Sequence, residues 1–155
     1  MKRSLVLSVA LFVAAAAAVQ AAPGRLTALG LYGSINGSQA GSTGSGVGLS
    51  LGFGGFPVIG LEYDFTEPRF GLSVDAWVVN DRFSGTPLSY YIGVGGFGGI
   101  AFNRSNGFDL GVRLPLGLQI FPLRQFEIYL EVTPMLHLIA LRPDLAASVG
   151  LRVHF

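Results

Sequence analysis

The chain has 155 residues, enough for one domain, and combines 50% apolar residues with only 12% charged ones at a mean hydropathy of +0.55. From Ala22 onward it carries eight Arg and no Lys against nine acids, so neither a disordered chain nor a ligand for nucleic acid or anionic surfaces fits. Without Cys, disulfides, thiolate chemistry and cysteine-based metal sites are excluded.

Residues 1–21, MKRSLVLSVALFVAAAAAVQA, join two positive charges to an apolar run and end on small residues. They are expected to be a cleaved signal peptide, leaving 22–155 as the mature domain. Two uncharged stretches follow, 26–61 and 83–103, that a hydropathy window reads as membrane helices. Eleven of the first 36 and six of the second 21 residues are Gly, each costing about 1 kcal/mol inside a helix, and their apolar residues alternate. The sequence therefore predicts strands.

In chain order these fall at about 27–36, 46–54, 58–65, 69–78, 88–101, 108–120, 126–133 and 147–155. A side-chain period of two puts Phe70, Leu72, Val74, Ala76 and Val78 on one face and Arg69, Gly71, Ser73, Asp75 and Trp77 on the other. The last three strands divide the same way, with Phe126, Ile128, Leu130 and Val132 opposed to Glu127, Tyr129, Glu131 and Thr133. One face is apolar throughout. The other is smaller, made of Gly, Ser and a few charges, which suits the narrow interior of an eight-stranded antiparallel up-and-down barrel with its apolar side in lipid.

The expected outer loops are 37–45, 66–68, 102–107 and 141–144, and the expected inner turns include a long one at 80–87 and one at 121–125. Pro115 and Pro134 interrupt strands and suggest bulges, leaving the facing of Met135 and His137 open. Phe53, Phe56, Phe83, Phe121, Phe126 and Phe155 fall at one rim; Phe65, Phe70, Phe102 and Phe108 fall at the other. Two such girdles are what a membrane barrel carries at its interfaces.

Glu62, Asp64, Arg69, Asp75, Asp109, Arg113, Glu127, Glu131 and Arg152 are assigned inward, where ion pairing fills a barrel too narrow for an aqueous channel. Pairing the last two strands about 141–144 sets Glu131 opposite His154 and diagonal to Arg152. With Arg113 on the other side, the expected interior network is Arg113, Glu131, Arg152 and His154. Gly93, Gly95 and Gly98 match G-x-G-x-x-G, but no helix follows, so they read as glycine packing. Neither His137 nor His154 has a serine two residues away on its own strand face. No catalytic, metal or cofactor site is expected.

The final alternation Val149, Leu151, Val153 and Phe155 resembles the C-terminal signal by which outer-membrane barrels are recognised by the barrel assembly machinery. With the eight-strand reading, the chain is similar to the OmpA transmembrane domain and to OmpX-like barrels. From Leu88 to Phe155, YYIGVGGFGG, LGVRLPLGLQIF and FEIYLEVTPMLHL look most like small outer-membrane barrels of spirochaetes. The resemblance implies bacterial outer-membrane residence, with lipid and the assembly machinery as partners, and brings no catalytic residue. A non-catalytic structural or interaction barrel is the leading expectation; a narrow solute conduit and a lipid-modifying enzyme are the alternatives.

Overall fold

The structure is a computed structural model that describes residues 26–38, 43–53, 57–102 and 107–155. The expected signal peptide, Phe56 and parts of the loops at 37–45 and 102–107 lie outside the described residues. Among the described residues there are nine strand segments: β1 Leu26–Ser38, β2 Thr43–Phe53, β3 Val58–Asp64, β4 Arg69–Arg82, β5 Leu88–Ala101, β6 Phe108–Arg113, β7 Leu116–Leu123, β8 Phe126–His137 and β9 Arg142–His154. All neighbours are antiparallel, and β9 pairs with β1, so the sheet closes on itself. β6 and β7 are two parts of one staggered strand between β5 and β8, which makes the wall eight strands round.

The two prolines do not produce the expected bulges. Arg113 faces Met135 and Leu116 faces Val132, a step of three on each strand, so no residue is inserted at Pro115. The ladder persists because each proline keeps its acceptor: Gly93 N–H donates to Pro115 O at 2.8 Å, and Leu114 N–H to Pro134 O at 3.0 Å. Each loses one bond of a pair, and the neighbouring pairs hold the register. Irregularities lie instead at Trp77/Val79, at Ile120/Leu123 and near Leu26. The face of His137 is thereby set inward, where it is 2% exposed.

Two turns differ from expectation. β4 runs on to Arg82 after placing both Val78 and Val79 outward, so the long turn at 80–87 shrinks to 83–87, with Gly85 at φ 77°. The last hairpin turns through 138–141, not 141–144, because Pro143 and Asp144 belong to β9, opposite Leu136 and Met135. Register therefore moves by six residues: Glu131 faces Ser148, and Glu127 faces Arg152. The faces survive, since an even shift leaves every side chain on its own side of the sheet.

The barrel is inside out relative to a water-soluble domain. Its buried set is mostly polar, and Leu31, Val47, Leu130, Val149 and Leu151 are among the many apolar side chains more than half exposed on the outer wall. Among the described residues, outward positions between the rims carry no charge. Inward aromatics stand directly opposite inward glycines: Tyr32 on Gly48, Tyr91 on Gly117, Phe97 on Gly111 and Tyr129 on Gly150. A side chain at Gly117 would overlap the Tyr91 ring, and one at Gly150 would overlap the Tyr129 ring. Glycine on these strands is thus the room that lets a ring lie flat inside a narrow barrel. Gly93, Gly95 and Gly98 lie within β5, where Gly93 sits under Trp77 and Gly95 beside Asp75.

Candidate functional site

Two rims orient the interior. One bears the connections 65–68 and 138–141 and is called the loop rim; the other bears the turns 83–87 and 124–125, with Leu26 and Phe155. Near the latter, Glu127 projects from β8 with a fully buried side chain. It accepts from Arg152 Nη1 at 2.6 Å and stands 2.6 Å from His154 Nε2. Arg152 also donates from Nε to Ser50 Oγ at 3.1 Å, and its guanidinium lies 4.4 Å from the Tyr129 ring centre and 5.2 Å from that of Trp77. Trp77 in turn stacks on Tyr91 at 4.3 Å. Cation, rings and carboxylate together fill this half of the bore, each charge desolvated but paired.

At mid-height, Glu131 accepts from Tyr91 Oη at 2.6 Å, from Arg113 Nη2 at 2.8 Å and from Thr133 Oγ1 at 2.8 Å. Arg113 Nε also stands 3.2 Å from Asp75 Oδ1. Glu131 is opposite Gly117, so Arg113 reaches it along the length of its own side chain and not as a cross-strand neighbour. Of the expected network, the structure brings Arg113 to Glu131 and brings Arg152 and His154 together on Glu127. Glu131 facing His154 is the part that must be corrected, for the register reason given above. Glu127 was legible as inward, but not as the residue joining the last two.

Toward the loop rim a third cluster joins six strand segments, β3, β4, β5, β6, β8 and β9. His137 Nδ1 lies 2.6 Å from Asp109 Oδ2 and its Nε2 lies 3.3 Å from Asp144 Oδ2, while the ring meets Phe97 edge-on at 5.0 Å. Arg69 reaches Asp109 at 3.5 Å and Asp64 at 4.0 Å. Asp144 escaped the sequence reading because Arg142, Pro143 and Asp144 look like a turn. Both histidines thus contact carboxylates, and among the described residues no group of three or more His, Asp or Glu is arranged to hold a metal ion.

Between the mid-height cluster and the loop rim lies a cavity of about 80 Å³. Tyr32, Ser34, Asn36 and Glu62 form one side, Phe97 and Met135 belong to the other, and Tyr129 and Arg152 lie on the side of the packed half.

No family model matches the chain, and no curated protein matches it. Among solved structures it is similar to the N-terminal β-barrel domain of OprF from Pseudomonas aeruginosa. The TM-score is 0.58 over 85% of this chain and 99% of that one, at 14% sequence identity. The likeness is one of fold: an all-β, closed, eight-stranded antiparallel barrel of the architecture of an outer-membrane barrel domain.

The residues of the expected assembly signal lie on β9 and just beyond it. Val149 and Leu151 are each 58% exposed on the outer wall and Phe155 is 75% exposed; Val153 pairs with Phe126 on β8. The last backbone donor, Phe155 N–H, bonds to Thr27 O at 2.9 Å, tying the end of the chain to β1. Phe53, Phe83, Phe121 and Phe126 gather at this same rim, and Phe65, Phe70, Phe102 and Phe108 at the loop rim.

Proposed function

We propose that the mature chain from Ala22 is a non-catalytic structural or interaction barrel of the bacterial outer membrane, made with a cleaved signal peptide at 1–21. The observation that carries this reading is the inversion of polarity: among the described residues, charge is confined to the interior and rims, and the wall between two aromatic girdles is apolar. A wall of that kind is stable against acyl chains and a liability in water. The fold shared with the OprF barrel domain supports the same reading. Closer kinship to OmpX-like barrels and to small spirochaetal barrels is part of the proposal, as is recognition by the assembly machinery through Val149, Leu151, Val153 and Phe155.

The packed half around Arg152, Glu127, Trp77 and Tyr91 supports a barrel without an open pore, with the loop rim facing outward. Fractionation of cells expressing the chain from its own start codon, followed by planar-bilayer recording of the purified protein, tests the reading. Recovery in the outer membrane without stable conductance is expected. Recovery in the soluble fraction would defeat the membrane assignment; reproducible single-channel steps would favour the conduit. A mass change in lipid A incubated with the protein would favour the enzyme.

A further inference from the structure

His137 ends β8 near the loop rim, and both of its ring nitrogens face carboxylates. A 2.6 Å approach of Nδ1 to Asp109 Oδ2 needs a proton between them. A neutral ring that spends its one N–H there aims the Nε2 lone pair at Asp144 Oδ2, 3.3 Å away, and Nε2 has no hydrogen-bond partner elsewhere. The other tautomer sets the same conflict against Asp109. Both His137 and Asp144 are buried, so bulk water does not relieve it. The arrangement fits a site that holds one proton more than a neutral imidazole between two carboxylates.

The charges around the ring point the same way. β3 supplies Asp64, β4 Arg69, β6 Asp109, and β9 both Asp144 and Arg142, while β5 brings only the Phe97 ring. Arg113, the next charge along β6, is taken up by Asp75 and by Glu131 of β8. Among the described residues, three carboxylates thus gather here with two guanidiniums, and a positive ring balances them. What the ring holds is loosely built. The hairpin 138–141 exposes Leu138, Ile139 and Leu141, with Leu141 at φ 45°, and Pro143, opposite Leu136, has no N–H to give the ladder. Asp144 Oδ1 accepts from Leu145 N–H at 2.8 Å, so its Oδ2 is left with the ring and with Arg142 at 3.8 Å.

We propose that His137 and Asp144 form a proton-operated latch, which holds the last hairpin closed while the site carries its extra proton and releases it when that proton is lost. With the proton in place, the imidazolium ties β6 to β9 across β8 and keeps the start of β9 against the wall. Its loss leaves Nδ1–H on Asp109, the shorter contact, and turns Nε2 and Asp144 into facing acceptors. The hairpin then gives way at Asp144. The sign follows from which form is paired: the contribution to closure is present while the imidazolium persists and is lost as the pH rises. The latch belongs to the closed barrel and does not depend on which membrane holds it.

Hydrogen exchange of the purified barrel in detergent, read by mass spectrometry, tests this. Protection of the amides at 138–146, corrected for the intrinsic rate at each pH, should fall by about tenfold or more from about pH 5.5 to about pH 8.5, the worth of one charge-assisted hydrogen bond. Amides beside the 83–87 turn, at the other rim, should keep theirs. His137→Gln and Asp144→Asn should each flatten the dependence, while His154→Gln at the opposite rim should leave it in place. The wild-type comparison of the two hairpins stands even if a variant fails to fold. Unchanged protection at 138–146, an equal fall at both hairpins, or loss of the dependence in folded His154→Gln would overturn the latch. A dependence that survives in folded His137→Gln would overturn the part given to the ring, and one that survives in folded Asp144→Asn would overturn its hold on β9.

Discussion

Glu127 and Glu131 are four residues apart on β8 and each anchors a different arginine. Removing either carboxylate takes from a desolvated guanidinium its shortest ion pair, and breaking a buried pair from one side costs about 3–5 kcal/mol, well beyond what a paired charge contributes at the surface. Glu127→Ala and Glu131→Ala should each lower unfolding stability in detergent by an amount in that range, while Asp81→Asn at the exposed rim should leave it nearly unchanged. Denaturant titration of the three variants checks this; equal small effects would show that neither interior cluster is dry. The pairings also separate the two variants. Ser50 and the Tyr129 ring remain beside Arg152 when Glu127 is lost, whereas loss of Glu131 leaves Arg113 to Asp75 alone and frees Tyr91 and Thr133.

At the scale of the strand, aromatic rings opposite glycines decide what the interior tolerates. Gly117→Val on β7 would drive a branched side chain into Tyr91, which is 1% exposed and stacked on Trp77. Overpacking of that kind costs about 1–3 kcal/mol. The expected loss in stability should shrink when Tyr91 is replaced by Ala in the same chain, and a double-mutant cycle without such coupling would break the argument. The last hairpin offers the opposite sign. Leu141 adopts φ 45° with its side chain 76% exposed, so a bulky residue bears the left-handed conformation and buries little in return. Leu141→Gly should raise stability by about 0.5–1 kcal/mol, the relieved strain less the added freedom of the unfolded chain; a loss on thermal unfolding would contradict this.

For the whole molecule, closure between β1 and β9 removes the exposed edge that any open sheet presents. Phe155 sits at that seam, bonded through its backbone to Thr27 and with its ring on the outer surface. Deleting Phe155 removes one seam bond and a girdle ring. Lower outer-membrane yield at low expression is expected, with the unfolding midpoint of the surviving barrel little changed; unaltered yield in a membrane-fraction immunoblot would argue against a terminal assembly signal.

Alternation was legible because a strand has only two faces, so single residues such as Asp75, Arg113, Glu127 and Arg152 could be assigned inward from position alone. The closed barrel class followed from the same period together with glycine content and scarce charge. Which residues meet was decided by tertiary structure. Antiparallel registers that differ by an even number of residues put the same side chains on the same faces, so polarity cannot choose among them. The choice at the last hairpin fell to a turn of Leu138, Ile139, Ala140 and Leu141, none a customary turn former, while Pro143 and Asp144, which look like a turn, entered β9. That displacement gave Arg152 to Glu127 and left Glu131 to Arg113. The cavity beside Glu62 lies deeper still in the tertiary structure, since it exists only where rings, glycines and ion pairs from separate strands fill the bore incompletely.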